Sequence, residues 1–359
     1  MQRFQFMDSD SLFYDALDLL KQLISVPSFS REETIVADLL ESYLIEKNIH
    51  THRKGNNIWL LSPNWDEKKP TILLNSHIDT VKPVSGWTKD PFSPLEEEGR
   101  LYGLGSNDAG APLVSLLHAF FVLTAKEQPN NFIFLASCEE EVSGKNGIES
   151  VLPELPPISL GVVGEPTEMQ PAIAERGLMV LDGIVYGKSG HAARNEGENA
   201  IYKALPVIEW FKKVKFPLES DLLGAVKATV TMIQSGTQHN VIPDSCKFTV
   251  DVRSNELYTN KQLFEFISTH CGCEINARSF RLNSSNIPND NSLVERAQML
   301  GLKPFGSPTL SDQALMNFPS LKIGPGNSSR SHTADEYIYL FEIRAAIDLY
   351  IRLLNDLNL

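Results

Sequence analysis

Five segments of this chain carry side chains whose types and spacing suit metal binding and proton transfer. TILLNSHIDTV sets His77 and Asp79 two residues apart at the end of an apolar run, so both lie on one side of an extended chain. One of them can ligate a metal while the other orients it. GRLYGLGSNDAGAP presents Asp108 at the end of a glycine-rich loop, just before a helix, where an N-cap aspartate would look the same. FIFLASCEEEVSGKNG follows an apolar strand with Glu139, Glu140 and Glu141, a like-charged cluster that needs a cation or a surface position. LGVVGEPTEMQP places Glu165 after a buried run, before a proline that stiffens the turn, and GPGNSSRSHTADEY places His332 in a loop before the last helix. Each has an ordinary reading alone: a polar strand end, a helix cap, a solvated acidic loop, a surface glutamate, a loop histidine. Together they supply the nitrogen and oxygen ligands of catalytic zinc. An aspartate shared between two such ions holds them about 3.5–4 Å apart.

Other chemistries fail on spacing. A dinucleotide loop would need its third glycine at Asp108. The GKS at 187–189 would need an upstream glycine at Asp182 to cradle phosphate, and a nucleophile elbow would need glycine at His191. Cys138 sits among carboxylates, which disfavour a thiolate, so it reads as a buried structural thiol.

Elements that could bring these segments together follow from hydrophobic periodicity. The first 26 or so residues read as an amphipathic helix on Leu17, Leu20, Leu23 and Ile24. Ser30 and Glu33 form a capping-box pattern for a second helix, with Ile35, Leu39, Tyr43 and Leu44 as its buried face. Strands are predicted at 58–61, 71–74, 132–136 and 160–163, and helices at 111–125 and 147–152. This alternation predicts a largely parallel α/β sheet covered on both faces. Such sheets bind ligands beyond the carboxyl ends of their strands, where the first four segments begin. From about residue 178 the order becomes β-α-β-β-α-β: strands at 178–186, 226–233, 246–252 and 274–282, helices at 199–214 and 260–270. The α/β pattern resumes with a helix at 292–300, a strand at 320–323 and a helix at 338–357. The second block therefore reads as an α+β insertion.

Of the 359 residues, 42% are apolar and the formal charge is −13, which argues against sequence-independent nucleic-acid binding, since that requires a basic face. No apolar run approaches the ~20 residues of a membrane span. The start, MQRFQFMDSD, has no signal-peptide core, which makes the cytoplasm the expected compartment. Four cysteines (Cys138, Cys246, Cys271, Cys273) are too few for a disulfide framework and are not spaced as a zinc knuckle.

The motifs SHIDTV, GLGSNDAGA, CEEEVSG, VVGEPTE, GKSGHAA, HNVIPD…DVR and SHTADEY, in that order, resemble those of the zinc aminoacylase and carboxypeptidase superfamily. The group includes acetylornithine deacetylases, succinyl-diaminopimelate desuccinylases and glutamate-releasing carboxypeptidases. The resemblance covers nearly the whole chain. It implies a zinc-peptidase-like catalytic domain of mostly parallel sheet at 1–177 and 285–359, and a ferredoxin-like lid and dimerisation domain at 178–284. It implies two Zn2+, with Co2+ or Mn2+ as substitutes: His77 and Glu165 on one ion, Glu141 and His332 on the other, Asp108 bridging. Asp79 would support His77, and Glu140 would be the general base. His191 would reach the active site of a partner subunit in a homodimer. Asn240 and Arg253 would meet the substrate carboxylate, and Gly324 would belong to a substrate-facing loop. Two departures stand out: the acidic triplet begins with Glu139 where Asp is usual, and Ala109-Gly110 follows the bridging aspartate where a bulkier residue is common. The activity implied is removal of an acyl group from a small N-acylated amino acid. The GPG-x5-HTADEY stretch favours N-acetyl- or N-succinyl-ornithine or -citrulline in arginine biosynthesis. The alternatives are a succinyl-diaminopimelate desuccinylase, a dipeptidase or carboxypeptidase, or a non-catalytic metal- or peptide-binding relative.

Overall fold

The computed structural model describes residues 8–194 and 196–359, so the start of the expected first helix and most of MQRFQFMDSD lie outside the described residues. The chain divides into two compact units. One comprises the described residues up to Ile173, Ile287–Phe305 and Ser311–Leu359; the other comprises Ala174–Asn286 and Gly306–Leu310.

In the first unit, parallel strands stand in the order Asn131–Ser137, Thr71–His77, Leu160–Val163, Ser320–Lys322. Asn57–Leu61 and His52–Lys54 extend one edge antiparallel, and Ala172–Glu175 lies antiparallel beyond Ser320–Lys322. This is the mostly parallel α/β sheet that the sequence predicts. Its inner strands are buried on both faces because alternate side chains feed two different cores. Ile72, Leu74, Phe132 and Phe134 pack with the helices Ser9–Ile24, Thr34–Glu46, Ala111–Thr124 and Leu340–Leu354. Leu73, Ile133 and Leu135 face the other way, onto Ile148 and Val151.

Register makes the strand ends converge. His77 is opposite Ser137, and Asn75 is opposite Val163. Extending that ladder sets Glu165 beside His77 on one side and the acidic triplet beyond it on the other.

Three local expectations are corrected. Helix Thr34–Glu46 buries Val36, Ala37, Leu40 and Leu44 while Ile35 is exposed, so its inward stripe is shifted from the predicted one. Its start carries no side-chain cap, because Ser30 and Glu33 are engaged with the candidate site described below. The last helix begins at Leu340, since Tyr337–Tyr339 instead pairs with Arg100–Tyr102, which pairs with Leu95–Glu97 in a small antiparallel sheet.

In the second unit, four antiparallel strands stand in the order Lys227–Ser235, Ser245–Arg253, Leu178–Tyr186, Glu274–Ala277. Helices Ala200–Lys213 and Asn260–His270 pack on them through Ala204, Val207, Phe211, Leu263 and Ile267, against Leu181, Phe248, Val250 and Val252. The last strand stops at Ala277, short of the predicted 282. Asn260 Nδ2 donates to the carbonyls of Phe280 and Leu282, and the latter also accepts from Leu178 N, so this stretch satisfies its backbone without a ladder. Among the described residues no helix is long and apolar enough to cross a membrane.

Candidate metal centre

The first unit gathers His77, Asp108, Glu140, Glu141, Glu165 and His332 beyond its parallel strands. His77 is buried at the end of Thr71–His77. Its Nε2 lies 3.3 Å from Asp108 Oδ1, 3.8 Å from Glu165 Oε1 and 3.9 Å from Glu140 Oε2. Its Nδ1 faces the Asp79 carbonyl at 2.9 Å and the Asp79 carboxylate at 3.5 Å. His332 Nε2 lies 3.0 Å from Glu141 Oε2 and 3.6 Å from Asp108 Oδ2. Asp108 thus stands between the two imidazoles.

Two sets of ligand atoms are close enough to share an ion: His77, Glu140 and Glu165, and His77, Asp108 and Glu141. The expected pairing put His77 and Glu165 on one ion and Glu141 and His332 on the other, with Asp108 bridging both. The residues gathered are those expected, but Glu140 stands at ligand distance and His77 serves both sets.

A cation fits the chemistry of this cluster. Glu165 Oε1 is shielded from solvent and has no hydrogen-bond partner among the described residues. Burial, opposed by His77 and reinforced by Asp108, pushes the Glu165 carboxyl up to about 8. Burial lifts Glu140 well above the usual carboxylate range, against the pull of His77 and with help from Glu165, Asp312 and Glu141. Burial opposes a charge on His77, but the bonds to Asp108 and Asp79 outweigh it and raise its affinity for a proton. The hydrogen bond to Glu141 lifts His332 to about 9. Acids that hold protons because they are buried, and because they repel one another, would release them to divalent ions.

Three carboxylates outside the ligand sets hold the backbone of the site. Glu336 is 2% exposed, and its oxygens accept N–H groups of Gly105 at 3.0 Å, Asn107 at 2.8 Å and Asp108 at 2.9 Å. Burying a carboxylate costs several kcal/mol. Three hydrogen bonds to a charged group, at about 1.5–3 kcal/mol each, can offset that. Burial and the nearby Asp108 nonetheless push Glu336 up to about 8. Asp79 accepts from Ser30 Oγ at 2.7 Å and from the backbone N–H of Glu140 at 3.0 Å and of Glu141 at 3.2 Å. Besides orienting His77, it therefore fixes the acidic turn. Glu33, fully buried, accepts from Arg31 N at 2.6 Å and Glu139 N at 3.1 Å. Glu139 itself has φ +55 and accepts from Asn146 Nδ2 at 2.8 Å, so the first acid of the triplet shapes the turn.

Sequence reasoning missed Glu336, Glu33 and Asn107. Asn107 Nδ2 donates to Asn327 O and Ser331 Oγ, tying the His332 loop to the Asp108 loop. The only signals were an acid in SHTADEY and one taken for a capping box. Gly324 is buried, and a Cβ there would meet Glu165 O at 2.4 Å, so this glycine lets two backbones approach and holds the Glu165 loop.

The remaining expected residues belong to the second unit. His191 is exposed on the short pairing of Gly190–His191 with Val241–Ile242, and its Nδ1 accepts from Ala193 N. Asn240 is exposed, and its carbonyl accepts from Ala192 N. Arg253 is half-buried and forks onto Asp251 through Nε at 2.8 Å and Nη2 at 3.0 Å, using two of its five N–H groups.

The chain is similar to known proteins over most of its length. Residues 73–356 match Peptidase family M20/M25/M40. The chain is 24% identical over 376 residues to succinyl-diaminopimelate desuccinylase 2 of Ruegeria sp., covering 95% of each. It is 24% identical over 352 residues to the acetylornithine deacetylase of Buchnera aphidicola, covering 90% of this chain and 92% of that one. A tripeptidase from Staphylococcus aureus shares the fold with a TM-score of 0.76 at 19% identity, over 95% of this chain and 97% of that one. So does the YXEP protein of Bacillus subtilis, a dinuclear metal binding peptidase, with a TM-score of 0.73 at 16% identity over 96% and 98%. The strand-end cluster and the match over most of the chain lead to one conclusion: this is a metal-dependent hydrolase belonging to peptidase family M20/M25/M40.

Proposed function

We propose that the chain removes the acyl group from a small N-acylated amino acid in the cytoplasm, with two Zn2+ at the centre described above. The observation that carries this reading is Asp108 standing between His77 and His332, with Glu141 and Glu165 on either side. Divalent ions held there supply Lewis-acid polarisation of an amide carbonyl and a water whose pKa falls towards about 7. Glu140 takes the proton from the attacking water and returns it to the departing amine nitrogen. Its strong affinity for a proton, set by burial and neighbouring acids, suits the first half of that task. Asp79 keeps Glu140 in place through its backbone N–H.

Residues 178–284 act in this reading as lid and dimerisation domain. His191 of one subunit donates to the oxyanion in the other subunit's site. Asn240 and Arg253 receive the substrate carboxylate; the guanidinium keeps N–H groups beyond the two given to Asp251. The preferred substrates are N-acetyl- or N-succinyl-ornithine or -citrulline, on the strength of the GPG-x5-HTADEY stretch. N-succinyl-diaminopimelate is the second reading, favoured by the likeness to the Ruegeria desuccinylase.

A kinetic panel of acylated ornithine, acylated citrulline, succinyl-diaminopimelate and a dipeptide tests this. The expected result is a kcat/KM for an acylated ornithine or citrulline well above the other two. Equal rates on all four would refute the narrow assignment.

A further inference from the structure

The cysteines fall into two kinds. Cys138 and Cys246 are single buried thiols. Cys271 and Cys273 are a pair, with Sγ atoms 3.6 Å apart, just after helix Asn260–His270. Between them Gly272 has φ +72, and a Cβ built there would meet nothing within 4 Å. The glycine is thus needed for its backbone conformation rather than for space, and that conformation turns both thiols to the same side. Cys271 is buried, whereas Cys273 is partly exposed. No residue of the metal centre touches this loop in sequence, and no step of the proposed hydrolysis uses a thiol.

We propose that Cys271 and Cys273 form a reversible redox site, a dithiol that a small-molecule disulfide such as glutathione disulfide converts to an intrachain disulfide. With the sulfurs already in contact, side-chain rotation can complete the approach to bonding distance. One S–H donates to the other sulfur, so the first proton leaves the pair more easily than it would leave an isolated thiol. The first proton leaves Cys271; the one that remains can pass from Cys273 to Cys271 across the 3.6 Å contact, which leaves Cys273, the sulfur that an oxidant can reach, as the thiolate that attacks glutathione disulfide. The S–S bond breaks, one glutathione departs as thiolate and takes up a proton, and a mixed disulfide remains. Deprotonated Cys271 then attacks the Cys273 sulfur, forming the Cys271–Cys273 bond and expelling the second glutathione. The protein has given up two electrons and two protons; glutathione disulfide has become two glutathiones. Excess glutathione reverses both steps. A bond across one intervening residue closes a small ring, the kind of labile disulfide that responds to redox conditions rather than serving as a permanent staple. It would tie the end of helix Asn260–His270 to strand Glu274–Ala277 at the edge of the four-stranded sheet.

The test is intact-mass measurement of the full chain after treatment with glutathione disulfide, followed by alkylation under denaturing conditions and peptide mapping. The expected result is a loss of two hydrogens, a bond mapped to Cys271 and Cys273, alkylated Cys138 and Cys246, and reversal by excess glutathione. Cys271→Ser should instead retain one glutathione on Cys273, because the resolving thiol is gone. Wild-type protein that retains a glutathione adduct, or that still alkylates at all four cysteines, would overturn the proposal. The wild-type measurement decides the matter even if the variant folds poorly. It is also independent of which amide the enzyme cleaves.

Discussion

Every residue of strand Thr71–His77 is buried, and no residue of strand Lys227–Ser235 is. The first strand sits between parallel neighbours and ends in a histidine whose ring nitrogens both face acceptors. The second lies at the edge of its sheet. The candidate site residues differ in the same way. Around His77 the backbone is held by Glu33, Asp79 and Glu336, so the ligand geometry exists before any substrate arrives. His191 is exposed on a two-residue pairing and Asn240 is exposed just beside it, so both can act only on something brought to them. The contrast separates two jobs. Substitutions in the buried cluster should alter metal content, whereas substitutions in the exposed set should alter turnover and leave the metal in place.

The largest effect is expected where the two jobs meet. Glu140→Gln should lower kcat about 10²–10⁴-fold, the usual range for a lost general base. Metal content by mass spectrometry decides its role. Two retained ions make Glu140 the base. Loss of one makes it a ligand, as its approach to His77 and Glu165 would permit, and the base must then be sought elsewhere in the triplet.

His191→Ala comes next, with kcat expected to fall about 10²–10³-fold, as for a lost oxyanion donor, and both ions retained. Mixing this variant with Glu140→Gln tests whether His191 acts across a dimer. Half of randomly mixed dimers would carry one site with both residues intact, restoring about a quarter of wild-type activity. If mixed subunits exchange but activity does not return, His191 does not act in trans.

The difference between the regions also explains what could be read in advance. The parallel strands were legible because a strand buried on both faces leaves an uninterrupted apolar run, as in TILL and FIFLA. Histidine and acids just beyond such runs could then be expected to converge. The pattern of the second unit was legible from alternation, as in Leu178–Tyr186, where inward and outward residues take turns. The small sheet of Leu95–Glu97, Arg100–Tyr102 and Tyr337–Tyr339 was not, because its first strand is exposed throughout and carries no periodicity. Nor were the clamps. Glu336 bonds backbone groups about 230 residues away, and no local spacing encodes a contact of that kind. Ser30 and Glu33 were misread for a related reason: a Ser-x-x-Glu pattern satisfies a helix start and a buried N–H of a distant loop equally well.

A smaller effect is expected from the clamp itself. Glu336→Gln keeps the size of the side chain but replaces one of the two accepting oxygens with an NH2 group, which cannot accept from the backbone N–H groups there. Metal affinity should weaken about 10–100-fold, as when a group supporting a ligand is lost, while His191→Ala leaves affinity unchanged. Competition with a chelating dye measures both. Equal affinity in Glu336→Gln and wild type would show that packing alone holds the Asp108 loop.

The smallest effect concerns stability and appears only after chelation. In metal-free protein the Glu165 carboxyl is raised from about 4.5 to about 8, chiefly by burial, so the folded state holds a proton that the unfolded chain has released. Its contribution is fully present below pH 4.5 and is lost as pH rises through 8. The melting temperature of metal-free protein should therefore fall across that window, by a few degrees for each kcal/mol lost. Added divalent ions should remove the fall, because they replace the proton as the partner of the carboxylate. Glu165→Gln should make the metal-free fall shallower, since the amide carries no titrating charge, while Glu140 and Glu336 continue to contribute to it. The same substitution should weaken metal binding, whereas His191→Ala should reproduce the wild-type curve with and without metal. A metal-free Glu165→Gln protein whose melting temperature falls as steeply as wild type between pH 4.5 and 8 would assign the dependence to other acids of the cluster.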